Sequence, residues 1–350
     1  MLLAVSTSFI LTKVILAVSV FLVSLGVAAY STYGERKVAA FLQDRLGPNR
    51  AGPFGLLQPL ADGVKMFMKE EIIPNVANRW LFIFGPSLFM LTALLTGAVI
   101  PWGPDLVING ERIPLQVADV NIGVLYLLGV VSIGVYGIMI GGWASNNKYS
   151  MLGALRAASQ MISYEIAMGI SVIALVMVTG TLSLSEIAAQ QHGWHWNILY
   201  QPLGFFIFFV CALAETNRAP FDLPECETEL VGGYHTEYSS MKLGLYLFAE
   251  YINMFISSAV IATFYFGGYN MPFIGRFVSD PNWLAVLGVV FLFAKVIFFI
   301  FLFMWIRWTL PRFRYDQLMN LGWKILIPLS IFNLAVITPL VMWIGGRLKF

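Results

Sequence analysis

Eight apolar stretches alternate with polar connections along the chain. They occupy residues 8–30, 80–100, 122–143, 158–181, 199–216, 241–267, 284–306 and 325–344. Each is close to the roughly 20 residues that an α-helix needs to cross the hydrocarbon core of a bilayer. The pattern therefore predicts an all-α polytopic membrane protein with eight transmembrane helices, forming a single integral membrane domain over residues 1–350.

Lysine and arginine residues are distributed unevenly between the connections. The connections after the first, third, fifth and seventh stretches, with their flanking ends, carry fifteen of them, whereas the other connections carry Arg112 and Arg276. The positive-inside rule assigns the basic side to the cytoplasm and predicts that both termini lie on the periplasmic side. The predicted cytoplasmic loops are residues 31–79, 144–157, 217–240 and 307–324.

The first of these loops contains an amphipathic pattern. Between residues 56 and 71, polar side chains recur at helical spacing and apolar side chains occupy the other faces. The polar positions are Gln58, Asp62, Lys65 and Lys69, and the apolar ones are Leu57, Leu60, Val64 and Phe67. The pattern predicts an amphipathic surface helix on the cytoplasmic side, lying in the membrane interface. Spacing alone leaves open whether its polar face also lines a cavity for an amphipathic ligand.

Composition agrees with the membrane assignment. The chain is 59% hydrophobic and 11% charged, with a mean hydropathy of +0.78. Soluble domains carry roughly 25% charged residues, so little of this chain is left for a soluble domain. The net charge of +2 adds little, because the placement of the charges matters more than their sum.

Acidic residues concentrate in one polar stretch, residues 213–242, which we call the acidic stretch. Its acidic members are Glu215, Asp222, Glu225, Glu227, Glu229 and Glu237. A short loop in so apolar a protein does not need this many carboxylates to stay in water, so the stretch is expected to handle charge. Capping of a helix N-terminus accounts for one or two of them. The sequence leaves open whether residues 225–229 are helical or extended.

Apart from Lys13 and Lys242, which lie near the ends of their spans, four charged side chains fall inside the predicted spans. Glu165, Glu215 and Glu250 lie at comparable depth in the cytoplasmic half, and Lys295 lies near the middle of the seventh span. Each costs roughly 2.5–3.5 kcal/mol to insert, which makes each a candidate functional residue. One interpretation is a series of carboxylates that passes protons. The other is that the four groups pair with one another to hold helices together, although three acids and one lysine cannot all be neutralised.

Other chemistry has little support in the sequence. No glycine-rich phosphate loop follows a strand, so nucleotide binding is not expected. The three histidines and the two cysteines, Cys211 and Cys226, lack the spacing of metal ligands. We expect no metal site, no redox centre on this chain and no nucleic-acid partner.

Four long motifs resemble those of a known family. They are GERKVAAFLQDRLGPNRAGPFGLLQPLADGVKMFMKEEIIP at 34–74, WASNNKYSMLGALRAASQMISYE at 143–165, AETNRAPFDLPECETELVGGYHTEYSSMK at 214–242 and IRWTLPRFRYDQLMNLGWK at 306–324. They are similar to the motifs of the H-subunit family of NADH:quinone oxidoreductase, respiratory complex I, whose mitochondrial counterpart is the first ND subunit. The resemblance runs essentially from end to end and implies eight transmembrane helices plus an amphipathic surface helix.

The resemblance also implies roles for individual residues. The membrane part of a quinone chamber would include Glu35, Arg36, Asp62, Lys65 and Arg218. A path for protons toward antiporter-like subunits would include Glu165, Glu215, Glu225, Glu227, Glu229 and Glu250, with Lys295 and Arg307 as further candidates. Some relatives carry an acidic residue in the third span, whereas residues 122–143 contain none.

Cofactors and partners follow from the same resemblance. Quinone would be the substrate, bound at the interface with peripheral-arm subunits, and NADH, flavin and iron–sulfur clusters would be bound only by partner subunits. Expected partners are the quinone-site and terminal-cluster subunits of the peripheral arm, the small membrane subunits beside the antiporter-like chain, and membrane lipid. The expected location is the bacterial inner (plasma) membrane. Quinone reduction would drive proton translocation through the carboxylates.

Two alternative functions fit parts of the sequence. A homologous subunit of a ferredoxin- or deazaflavin-fed quinone oxidoreductase, or of a membrane-bound hydrogenase, would share the fold and differ in the electron donor. A stand-alone proton-coupled transporter would fit the buried Glu and Lys residues. The large basic cytoplasmic loops favour a docking surface over a stand-alone transporter.

Overall fold

Long helices dominate the chain. The computed structural model describes residues 7–108, 111–223, 231–272 and 280–348. The helices are α1 (Thr7–Leu42), α2 (Gln58–Met68), α3 (Arg79–Thr96), α4 (Gly123–Ala144), α5 (Lys148–Thr179), α6 (Leu184–Gln190), α7 (Asn197–Tyr200), α8 (Pro202–Glu215), α9 (Ser240–Tyr265), α10 (Pro281–Thr309) and α11 (Tyr315–Ile344). The strands β1 (Leu106–Ile108) and β2 (Glu111–Ile113) pair as an antiparallel hairpin.

The predicted all-α polytopic architecture is confirmed. Within the described ranges, seven helices are long and apolar enough to cross a membrane, namely α1, α3, α4, α5, α9, α10 and α11. The predicted span 199–216 corresponds to α8, which has 14 residues and is therefore about 21 Å long, shorter than a bilayer core. Pro202 begins α8 because proline lacks an N–H group and cannot continue α7.

Two helices extend beyond the predicted spans. With 36 residues, α1 is about 54 Å long and continues through Leu42, so Glu35 and Arg36 lie on a helix, whereas the prediction assigned them to a loop. Likewise α5 begins at Lys148, where the Asn147 side chain accepts a hydrogen bond from the Tyr149 N–H group. The predicted loops 31–79 and 144–157 are correspondingly shorter in the structure.

Close helix packing centres on α9. In its apolar 18-residue segment, 67% of the residues of α9 are buried within the chain, whereas only 6% are buried in the corresponding segment of α1. Nearby, α3 and α4 approach each other through glycines: a Cβ atom at Gly85 would lie 2.8 Å from the Gly141 Cα atom. Small residues permit such close backbone contact between membrane helices. The core therefore forms around α9, and α1 lies largely outside it.

The predicted surface helix is α2. Pro59 lies in its first turn, where the missing N–H group costs no hydrogen bond. Leu60 and Phe67 are exposed, as expected for the lipid-facing side of an interfacial helix. Its C-terminal end is fixed to α9, because the Ser240 hydroxyl donates to the Met66 carbonyl oxygen over 3.0 Å.

Candidate functional site

Four charged side chains from four different parts of the chain meet below the surface. Glu35 is on α1, Arg218 follows α8, Glu250 is on α9 and Arg307 is near the end of α10. The Arg218 Nη1 atom lies 3.3 Å from Glu35 Oε2, and Nη2 lies 3.8 Å from Glu250 Oε2. Arg307 forms a second ion pair with Glu35. We call these residues the charge cluster.

Both carboxylates of the charge cluster accept hydrogen bonds from tyrosines. The Tyr251 hydroxyl donates to Glu35 Oε2 over 2.8 Å, and the Tyr234 hydroxyl donates to Glu250 Oε1 over 2.9 Å. The Arg218 guanidinium also lies over the Tyr251 ring, 4.1 Å from its centroid. A buried ion pair is tolerated only when further hydrogen bonds offset its desolvation, and these tyrosines supply such bonds.

The backbone around Arg218 is fixed by neighbouring elements. The Gln160 side chain on α5 donates to the carbonyl oxygens of Ala214 and Phe221 over 2.8 and 2.9 Å. From the connection after α10, the Phe313 N–H group donates to the Pro220 carbonyl oxygen over 3.1 Å. Buried backbone acceptors therefore have partners, and Arg218 projects from a held segment into the charge cluster.

A second charged group joins α1 to the surface helix. Arg36 Nη1 lies 2.7 Å from Asp62 Oδ2, and Lys65 Nζ lies 3.7 Å from Asp62 Oδ1. Gln58 also donates to Asp62 over 3.1 Å. Consecutive residues on a helix point about 100° apart, so Glu35 faces the charge cluster and Arg36 faces α2. The five predicted chamber residues thus form two adjoining groups.

Glu165 and Glu215 line one small internal cavity. Its volume is about 20 Å³, enough for roughly one water molecule. The Ser132 hydroxyl on α4 donates to the Glu165 carboxylate. Asn253 lines the same cavity from α9, one helical turn beyond Glu250. The structure therefore brings three of the predicted proton-path glutamates to neighbouring positions along the core.

The interpretation that pairs the glutamates with Lys295 is wrong. The Lys295 ammonium group donates instead to three backbone carbonyl oxygens, those of Phe266, Gly268 and Asn270, over 2.7 to 2.8 Å. Lys295 lies twelve residues before Arg307 on α10, a separation of about 18 Å along the axis. It fastens the connection after α9 to α10, away from the charge cluster.

The trio Glu225, Glu227 and Glu229 lies outside the described residues. Asp222, also in the acidic stretch, forms an ion pair with Arg312 at 2.9 Å. Glu237 accepts a hydrogen bond from Asn147 over 2.6 Å. Among the residues with described positions, no group of His, Cys, Asp or Glu side chains comes together in a way that could hold a metal ion.

Sequence reasoning missed the tyrosines and one ion pair. Tyr251 directly follows Glu250 and Tyr234 lies within the acidic stretch, and a buried tyrosine usually donates to a hydrogen-bond acceptor.

Lys242 on α9 forms an ion pair with Glu71 just after α2. This hydrogen bond and the positive charge of Lys242 lower the pKa of Glu71. Burial raises the pKa of Tyr238 to about 12, so its phenol is a neutral donor.

Comparison with known proteins identifies the family. The family model described as NADH dehydrogenase matches residues 14–338. An H subunit of NADH-quinone oxidoreductase from Cytophaga hutchinsonii is 70% identical over 332 residues, which cover 95% of this chain and 97% of the relative. The H subunit of Flavobacterium johnsoniae is 64% identical over 94% of this chain and 95% of the relative. An H subunit of Geobacter metallireducens is 50% identical over 91% and 92%. The family resemblance of the four motifs is confirmed, and the chain belongs to the NADH dehydrogenase family, the family of the H subunit of NADH-quinone oxidoreductase.

Proposed function

We propose that the chain forms the membrane part of a quinone-binding chamber in a proton-pumping NADH:quinone oxidoreductase and couples quinone reduction to proton translocation. Quinone is the substrate, and it is reduced at the interface with peripheral-arm subunits. NADH, flavin and iron–sulfur clusters are bound by those partner subunits. Small membrane subunits beside the antiporter-like chain are further partners. The complex resides in the bacterial inner membrane, with both termini of this chain on the periplasmic side.

The charge cluster is the observation that carries the proposal. Two carboxylates and the Arg218 guanidinium are buried together where α1 and α9 meet the segment after α8, and the partly exposed Arg307 guanidinium of α10 lies beside them. Charges interact strongly where water is scarce, so a change of charge on a quinone nearby alters the balance between these groups. The amphipathic α2 and the Arg36–Asp62 pair extend the polar surface toward the membrane interface, where an amphipathic quinone head can approach.

The arrangement along α9 supports a continuation into the membrane. Asn253 lies about 4.5 Å beyond Glu250 along the axis and lines the cavity that Glu165 and Glu215 share. Protons pass from Glu250 along α9 to these two glutamates, which share the cavity with Asn253. Glu225, Glu227 and Glu229 remain part of the proposed path on the grounds of the motif alone.

A photoreactive quinone applied to the assembled complex tests the chamber. Illumination followed by mass spectrometry of peptides is expected to find label on peptides from residues 34–68, which include Glu35, Arg36 and Asp62. Excess unlabelled quinone serves as the control and should suppress that label. Reproducible, competable labelling confined to other parts of the chain would contradict the chamber assignment.

Isolation of the chain from its native membrane with mild detergent tests the complex. Co-purification with an NADH-oxidising flavoprotein and cluster-bearing subunits is the expected result, together with NADH:quinone reductase activity. Co-purification with hydrogenase subunits or with a ferredoxin-accepting module would assign the chain to a related complex. Proton transport by the single chain in liposomes would instead indicate a stand-alone transporter.

A further inference from the structure

Residues 231–240, which we call the tether segment, contact the charge cluster at one end and the surface helix at the other. Tyr234 lies in the 3-10 turn Gly233–His235, is fully buried, and donates to Glu250 over 2.9 Å. At the other end, the Ile72 N–H group after α2 donates to the Ser239 hydroxyl over 3.1 Å. The tether segment therefore joins two parts of the site.

The backbone of Tyr234 is fixed against α5. A Cβ atom at Gly153 would lie 2.7 Å from Gly233 Cα and from the Tyr234 nitrogen, so only glycine permits this approach. The Ser150 hydroxyl also donates to the Tyr234 carbonyl oxygen over 3.2 Å. These contacts leave little freedom for the backbone that carries the phenol.

The Tyr234 ring is held in the same way. The Tyr246 ring meets it edge to face at 5.2 Å between centroids, and the His235 ring centroid lies 3.9 Å away. Packing thus fixes the position of the Tyr234 hydroxyl, which lies 2.9 Å from Glu250 Oε1. Such a preset donor favours one orientation of the carboxylate over its alternatives.

We propose that Tyr234 is a positioning residue that holds Glu250 as a hydrogen-bond acceptor and transmits the state of Glu250 to the tether segment. The inference rests on the proposed function, in which Glu250 takes part in proton transfer. An ionised carboxylate only accepts hydrogen bonds, whereas a protonated one must also donate. Proton gain by Glu250 therefore weakens the hydrogen bond from Tyr234, because that bond is no longer charge-assisted, and the weaker bond loosens the hold on the tether segment.

Other charged and titratable groups also face Glu250. Arg218 approaches it from the segment after α8, and Glu35 on α1 shares that guanidinium. Tyr251 on α9 and Arg307 on α10 both contact Glu35. These groups set the charge around Glu250, whereas Tyr234 joins Glu250 to the tether segment. That separation allows the role of Tyr234 to be tested by itself.

A double-mutant cycle in the assembled complex tests the inference. The variants are Tyr234→Phe, Glu250→Gln and the combination, and the readouts are NADH:quinone reductase rate and protons translocated per electron pair. Tyr246→Phe is the matched control, because it removes a buried hydroxyl that donates to the Gly137 carbonyl oxygen. We expect Tyr234→Phe to lower quinone-linked proton translocation at least about fivefold, since hydrogen bonds to charged groups are strong.

The decisive result is the coupling between the two positions. If Tyr234 acts through Glu250, Tyr234→Phe has little further effect in the Glu250→Gln background. Equal fold-losses in both backgrounds, or equal losses for Tyr246→Phe, would show a merely structural role and overturn the inference. Glu250→Asp serves as a second variant, because the shorter side chain withdraws from an intact tyrosine and should reproduce the Tyr234→Phe defect.

The same cycle separates failure of the inference from failure of the proposed function. Normal translocation by an assembled Glu250→Gln complex would remove Glu250 from the path, and the role of Tyr234 would fall with it. A defective Glu250→Gln complex combined with normal translocation by Tyr234→Phe would leave the proposed function standing and overturn the inference alone.

Discussion

Arg218 and Glu35 are 183 residues apart in sequence, yet the Arg218 guanidinium lies 3.3 Å from the Glu35 carboxylate. This pair joins the extended end of α1 to the segment after α8, and Glu250 lies on the other side of the same guanidinium. Side-chain exposure is 6% for Arg218 and 7% for Glu35. Two buried carboxylates therefore share one arginine, and Arg307 adds a second ion pair to Glu35.

Replacing Arg218 with alanine is expected to destabilise the chain strongly. Loss of one partner from a buried ion pair leaves an uncompensated charge and costs about 3–5 kcal/mol. The melting temperature of the purified complex and its NADH:quinone reductase rate should both fall. Arg314→Ala is the control, because Arg314 pairs with Asp316 at an exposed position and such pairs contribute at most about 1 kcal/mol. Equal stability of the two variants would contradict the assigned importance of Arg218.

Glu215→Gln is expected to reduce proton translocation in a complex that still assembles. The substitution keeps the shape of the side chain in the shared cavity and removes its ability to ionise. Proton translocation per electron pair in reconstituted vesicles measures the effect. Glu186→Gln is a suitable comparison, since Glu186 accepts a hydrogen bond from Thr181 at an exposed position outside the core. Normal pumping by an assembled Glu215→Gln complex would remove Glu215 from the path.

Asp62→Asn is expected to weaken quinone binding more than it alters folding. The change removes the ion pairs with Arg36 and Lys65, whose side chains are 46% and 69% exposed, so the stability loss should stay below about 1 kcal/mol. We expect the KM for quinone to rise about threefold, with kcat largely retained, because substrate binding is affected more than the reaction itself. Glu70→Gln, at an exposed position just beyond α2, should leave the KM unchanged. An unchanged KM in Asp62→Asn would exclude this residue from the chamber.

The ion pair between Glu71 and Lys242 should stabilise the folded chain at neutral pH and lose that effect in acid. Its contacts lower the pKa of Glu71 in the folded protein, so the contribution is present above the unfolded-state value of about 4.3 and is lost as pH falls through the folded-state value. Melting temperatures of the native chain and of Glu71→Gln should therefore differ near pH 7 and converge once the pH falls below the lowered folded-state pKa of Glu71. A difference that persists unchanged in acid would show that the charge of Glu71 is not responsible.

Lys295→Met should affect stability rather than coupling. The substitution leaves three carbonyl oxygens without their ammonium donor, and unsatisfied buried acceptors cost about 1–3 kcal/mol each. A fall in melting temperature is expected, with an unchanged number of protons per electron pair in the complex that remains assembled. Lys324→Met, at an exposed position on α11, should have little effect on either quantity. A specific loss of pumping in Lys295→Met would return this lysine to the path.

Local sequence determined the elements and their polarity. Long apolar runs of membrane-spanning length have no stable alternative to the helix, because backbone groups in lipid must bond within the segment. The helical spacing of polar and apolar positions sufficed to find α2. The length of α1 was underestimated because polarity marks the membrane boundary, whereas the helix continues into the polar region until a turn after Leu42 ends it. The predicted span 199–216 fell short as α8, since Pro202 delays its start.

Tertiary structure alone decided which charges meet. Glu35, Arg218, Glu250 and Arg307 come from four distant positions, and no spacing along the chain relates them. The sequence showed that Glu250 and Lys295 both lie within apolar spans, yet it could not show that Glu250 would face Arg218 while Lys295 would bind three carbonyl oxygens. Hydrophobic periodicity fixes where a helix begins and which residues it contains, whereas side-chain partners depend on how the helices rotate and pack against one another. That packing also places the Tyr234 hydroxyl within hydrogen-bond distance of Glu250.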